Sequence, residues 1–136
     1  MKATPWLLSC LSALSMALAA PASAAAAPPP FVRLADLEID PARLPQFTAA
    51  INEGIAAAIR TEPGVLVLYA VAEEDRPHHI RVFEMYASAA AYQAHLATPH
   101  FQKFRTTTDS MVVARQLLNA VPVALGAKEG MAPPRR

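Results

Sequence analysis

Two imidazoles in one short apolar segment are the groups in this chain best suited to chemistry. His95 and His100 lie in Tyr92-Gln93-Ala94-His95-Leu96-Ala97-Thr98-Pro99-His100-Phe101-Gln102-Lys103-Phe104. An imidazole titrates near neutrality, which suits a general base. Helical spacing puts His95 on one stripe with Tyr92 and Leu96 and turns it inward. The alternative is a histidine that only packs against a sheet, with a ring nitrogen bonded to a backbone carbonyl. Just upstream, Phe83-Glu84-Met85-Tyr86 carries a carboxylate and a phenol on a strand. Alternation places Glu84 with Ile80, Val82 and Tyr86. On a face that lines a cavity, Glu84 could orient an imidazole or hold a substrate hydroxyl; on an outward face it is a solvated or interface charge, paired to an arginine. Tyr69 and Tyr86 could donate to a developing oxyanion or act as packing residues. No metal site is expected. His95 and His100 are separated by about 140° on a straight helix, which a bend at Thr98-Pro99 could alter, and His78 and His79 point to opposite faces of a strand.

These residues need elements to position them. Phe31 to Glu38 reads as a strand, with Val32 and Leu34 on one face and Arg33, Ala35 and Leu37 on the other. Asp40-Pro41 reads as a helix start. Leu44, Phe47, Ile51, Ile55, Ala58 and Ile59 form the buried stripe, and Pro63-Gly64 ends it. Val65 to Ala72 is wholly apolar, which predicts cover on both faces. The charged turn Glu73-Glu74-Asp75-Arg76-Pro77 leads into a strand over Ile80 to Tyr86. Ser88 can cap the next helix, and Thr98-Pro99 predicts a bend with a fresh cap. Phe101, Phe104, Thr108, Met111 and Val112 continue the apolar stripe, and a last strand is expected over Gln116 to Leu125. The order is β-α-β-β-α-β, an α+β ferredoxin-like arrangement with an antiparallel sheet and its second helix broken in two.

The F-E-x-Y strand end and the Y-x-x-H-L-x-T-P-H-F helix resemble the signature of the antibiotic biosynthesis monooxygenase family. Glu62-Pro63-Gly64-Val65-Leu66-Val67-Leu68-Tyr69 is similar to that family's E-P-G-V-L-x-L-Y segment. The resemblance covers roughly residues 31–123, within a domain placed at residues 31–125. It implies a dimeric α/β barrel, a homodimer, and monooxygenation of a quinol or other electron-rich aromatic with dioxygen and no bound cofactor. In that chemistry His95 would take a phenolic or enolic proton, because the resulting anion gives up an electron far more easily. Glu84 and Tyr86 would support it, and Tyr69, Tyr92, Leu96, His100 and Phe101 would shape the substrate pocket. Haem-degrading relatives place tryptophan near the position of His95 and a ligating histidine about ten residues later. Here that later position falls near Arg105, and the one tryptophan is Trp6.

Composition narrows the classes further. Residues 1–24 read as a signal peptide: Lys2, an apolar run from Leu7 to Ala20, and the Ala22-Ser23-Ala24 cleavage site. Leu7-Leu8-Ser9-Cys10 loosely resembles a lipoprotein box, but a cut there would leave almost no apolar region, so cleavage after Ala24 and no membrane anchor are expected. The expected location is periplasmic or secreted. Cleavage would leave 136 − 24 = 112 residues, no cysteine, and 11 basic against 11 acidic residues once Lys2 is removed from the 12. That balance gives no electrostatic case for a nucleic-acid partner. Residues 25–30 read as an Ala/Pro-rich linker and residues 126–136 as a disordered tail. There is no glycine-rich phosphate loop, nucleophile elbow or dinucleotide fingerprint, hence no evident seat for a flavin or nicotinamide. Two other functions remain open on this fold: a dimeric binding module for a small apolar ligand, and an isomerase that moves a proton and is indifferent to oxygen.

Overall fold

The computed structural model describes residues 29–128. The expected signal peptide, residues 25–28 of the linker, and residues 129–136 of the tail lie outside them. The elements are β1 (Phe31–Ile39), a 3-10 turn (Pro41–Arg43), α1 (Leu44–Thr61), β2 (Val65–Ala72), β3 (His79–Tyr86), α2 (Ala89–Leu96), α3 (Pro99–Thr108), a second 3-10 turn (Asp109–Met111) and β4 (Val112–Ala120). The four strands form one sheet in the order β2-β3-β1-β4, and every neighbouring pair is antiparallel. The fold is α+β and ferredoxin-like.

Local chemistry explains most boundaries. Asp40 Oδ1 accepts from the Ala42 N–H at 3.0 Å and caps the turn that leads into α1. Ser88 Oγ accepts from Ala91 N–H at 3.1 Å and starts α2. Thr98 stands between α2 and α3 in extended conformation, and its hydroxyl accepts from Phe101 N–H at 3.3 Å while donating to the His95 carbonyl at 2.8 Å. Pro99 has no N–H and disfavours helical geometry at Thr98, so α2 cannot run on into α3. Gly64 is required by a close approach: a β-carbon there would lie 2.7 Å from that of Ala91.

Strand alternation gives the sheet two different faces. The inner face carries Ala35, Leu37, Ile39, Ile80 and Val82, which pack against Phe47 and Ile51 of α1 and against Met111. A second cluster joins Ala58 of α1 to Val65, Leu68 and Tyr86. The outer face carries one apolar row across all four strands, Tyr69, Phe83, Leu34 and Leu118 in register. Leu34, Tyr69, Val71 and Leu118 stay exposed there, as does Leu66. The expectation that β2 is covered on both faces therefore fails within a single chain, because all the helices lie on the other side. The last strand also begins earlier than expected. α3 stops at Thr108, Val112 pairs with Ile39, and Pro122 lies beyond the last ladder pair, Val32 with Ala120. Proline cannot donate to a ladder, so the strand ends before it.

Candidate active site

A cavity of about 230 Å³ opens between the inner face of the sheet and the helices. Of the residues expected at a site, Glu84, Tyr86, Tyr92, His95, Leu96, His100 and Phe101 all line it. Tyr69 does not. It sits on the outer face with Leu34, Phe83 and Leu118, because it follows the inward-facing Leu68. Within this chain Tyr69 cannot reach the cavity that His95 borders.

His95 is in the last turn of α2 and is buried. Its ring packs between Phe101, at a centroid distance of 4.8 Å, and Tyr86, at 5.4 Å. Its Nδ1 lies 2.8 Å from Glu62 Oε1. A carboxylate accepts, so this contact places a proton on Nδ1, and in the neutral ring the lone pair is then on Nε2. Glu62 also takes the Nε2–H of His100 at 2.5 Å, on the same oxygen. The straight-helix separation of the two histidines does not hold, because the break at Thr98-Pro99 resets the direction of α3. Three elements thus converge on one carboxylate oxygen.

Glu62 is the residue that sequence reasoning missed. It is the C-cap of α1, where the helix dipole disfavours an anion. A carboxylate at that position, next to Pro63-Gly64, calls for cationic or donor partners, and the two imidazoles supply the donors. That misfit was the available signal.

Glu84 turns toward the cavity and accepts the Tyr86 hydroxyl at 2.8 Å. Burial pushes its pKa up, against the pull of the Tyr86 hydrogen bond and the charges of Arg33 and His95. Burial also raises the Tyr86 pKa, helped by the neighbouring Glu84 charge and hydrogen bond. Tyr86 is therefore a protonated phenol whose one proton is directed at Glu84. It is not free to donate to a substrate oxyanion in this arrangement. Arg33, opposite Glu84 in the β1–β3 register, donates to the Tyr92 hydroxyl and lies 4.9 Å from that ring's centroid. It brings a fixed positive charge to the cavity wall, which the sequence reading had placed on a strand face without a role.

His78 and His79 are not on opposite faces of a strand. Only His79 belongs to β3, and the two rings meet edge to face with centroids 4.7 Å apart. With Glu38 they form a second histidine–carboxylate group, at the far end of β1.

The four-stranded antiparallel sheet with its helices packed on one face is the ferredoxin-like α+β fold. Residues 30–107 match the family model described as antibiotic biosynthesis monooxygenase, and the chain belongs to that family. A candidate antibiotic biosynthesis monooxygenase from Bacteroides thetaiotaomicron is 48% identical, with 74% of this chain and 95% of that chain covered and a TM-score of 0.71. A candidate monooxygenase from Lactobacillus acidophilus is 28% identical with a TM-score of 0.65; the match covers 66% of this chain and 43% of that one. A further family candidate, from Caulobacter crescentus, shares the fold at 23% identity and a TM-score of 0.67, over 71% of this chain and 92% of that chain. No curated protein matches the sequence. No helix among the described residues is long and apolar enough to cross a membrane.

Proposed function

We propose that this chain is an exported, cofactor-independent monooxygenase that acts on a quinol or a similar electron-rich aromatic. The observation that carries the reading is His95, buried at the cavity wall with Nδ1 held by Glu62. Nε2 accepts the phenolic proton, and the phenolate reduces dioxygen. For a simple quinol one oxygen atom enters the ring and the other leaves as water, giving a hydroxyquinone; the substrate supplies all four electrons, so no outside reductant is needed. Arg33 stabilises the anion from the cavity wall. Leu96 and Phe101 supply apolar surface for an aromatic ring. The orienting role first considered for Glu84 falls to Glu62, while Glu84 and Tyr86 form a separate hydrogen-bonded pair in the wall.

The working unit in this reading is a homodimer, with the apolar outer rows of two sheets facing each other. The exposure of Leu34, Tyr69, Val71 and Leu118 supports that pairing. The leader sequence supports export.

Oxygen uptake against a panel of quinols and polyphenols, with His95→Ala alongside, tests the activity. Loss of a general base should cost about a hundredfold or more. Uptake no faster than autoxidation on every panel member would transfer the site to a binding module, and oxygen-independent exchange of a substrate proton would transfer it to an isomerase.

A further inference from the structure

We propose that Glu62, His95 and His100 form a site for a divalent transition-metal ion of the zinc class, and that filling it switches off the base of the cavity. The switching half rests on the reading of His95 as that base; the binding half does not.

One ligand atom from each of Glu62, His95 and His100 lies within 4.8 Å of the other two. They come from three elements: the C-cap of α1, the last turn of α2 and the first turn of α3. Both imidazoles address one oxygen, at 2.8 and 2.5 Å. Zinc bonds of about 2.0–2.1 Å in a tetrahedron set neighbouring ligand atoms about 3.4 Å apart. Both contacts to Glu62 Oε1 are shorter than that spacing, so side-chain rotations must spread the two rings from the carboxylate before an ion fits. Two imidazoles and one carboxylate are the borderline-soft set that favours zinc over magnesium or calcium, which take oxygen ligands. A divalent cation also offsets the anion at the end of α1, where the helix dipole does not. Thr98 Oγ1, 3.2 Å from His100 Nε2, lies beside the site and can bond a metal-bound water.

The consequence for His95 follows from proton bookkeeping on one ring. A metal needs the lone pair of Nδ1, so the proton there moves, through solvent, to Nε2. The neutral imidazole then presents an N–H to the cavity where it had presented a lone pair, and it cannot take a phenolic proton. Nothing is oxidised or reduced.

The test uses the whole protein, stripped with EDTA and dialysed. Co2+ serves as the spectroscopic probe of imidazole ligation, and Zn2+ is titrated by calorimetry. The expected result is one ion per chain, with affinity lowered about a hundredfold or more in Glu62→Gln and in His100→Gln, since losing a ligand costs at least as much as losing an outer-shell partner. Circular dichroism checks that both variants fold, and His78→Ala controls for the second histidine group. Failure of the protein to take up either ion at millimolar concentration overturns the proposal. So does binding that survives in both Glu62→Gln and His100→Gln and disappears in His78→Ala. Nitrogen NMR of His95 reads the switch directly: zinc should move the proton from Nδ1 to Nε2. Zinc-loaded protein that keeps its oxygen uptake, where uptake is observed, overturns the switch. A protein that shows no oxygenase turnover when metal-free, yet binds zinc, refutes the proposed function and leaves the metal site standing, so the two failures are distinguishable.

Discussion

Removing the Glu62 carboxylate should destabilise the fold and uncouple the two histidines together. The Glu62 side chain is 12% exposed, that of His95 9% and that of His100 21%. A hydrogen bond to a charged partner contributes about 1.5–3 kcal/mol when buried. The His95 contact belongs near the upper end of that range, and the more exposed His100 contact is worth about 1 kcal/mol. Glu62→Ala should therefore cost about 3–4 kcal/mol in metal-free protein. At about 4–8 °C per kcal/mol for a domain of this size, the midpoint falls by at least about 12 °C. Glu62→Gln keeps an acceptor and loses the charge, so about 1–2 kcal/mol is expected. Thermal unfolding at one fixed protein concentration measures both, because association would make the midpoint depend on concentration. The decisive measurement is a double-mutant cycle between Glu62→Gln and His95→Gln. Contact through one hydrogen bond predicts a coupling of about 1–2 kcal/mol, whereas independent sites add to within about 0.5 kcal/mol. Additive losses would refute the shared-carboxylate reasoning, however large each single loss was.

Three other outcomes follow from separate parts of the molecule. Burial holds the Glu84 pKa above its ordinary value of 4.5, so protonation of Glu84 favours the folded state. Its contribution is fully present below the ordinary value and is lost as pH rises through the raised one. Glu84→Gln should accordingly raise the unfolding midpoint at pH 7–8 and lose that advantage near pH 4; an equal effect at both ends of a pH series of melts would contradict it. Gly64→Ala should cost about 1–3 kcal/mol by forcing β2 away from α2, and Ala91→Gly in the same chain should recover part of the loss, both read from denaturant midpoints. A charge placed in the outer row, as in Leu34→Glu, should leave the inner core intact and shift sedimentation from dimer to monomer. A wild-type protein that sediments as a monomer at micromolar concentration would end the paired-sheet reading.

The sequence disclosed what depends on near neighbours. Ser88 and Thr98 act as caps because an extended hydroxyl residue ahead of a helix is a local signal, and the break at Pro99 follows from one missing N–H. The inward turn of Glu84 was legible as one of two options, since its strand alternates cleanly with Val82 and Tyr86. Tyr69 was not legible: a wholly apolar strand carries no alternation, so nothing nearby told which face it joins until pairing with Phe83 fixed the register. Glu62 was hidden for a different reason. It meets His95 across 33 positions and His100 across 38, and its meaning lies in that convergence. Extrapolating a straight helix through Pro99 separated the two imidazoles in angle, although the expected bend was the feature that reunites them. What could have revealed Glu62 was an electrostatic conflict, an acid at a helix C-terminus directly before Pro-Gly. Such a misplaced charge needs a partner brought by the fold. Here that partner is a pair of imidazoles, and the same contact that steadies the helix end also fixes which nitrogen of His95 is left to accept a proton.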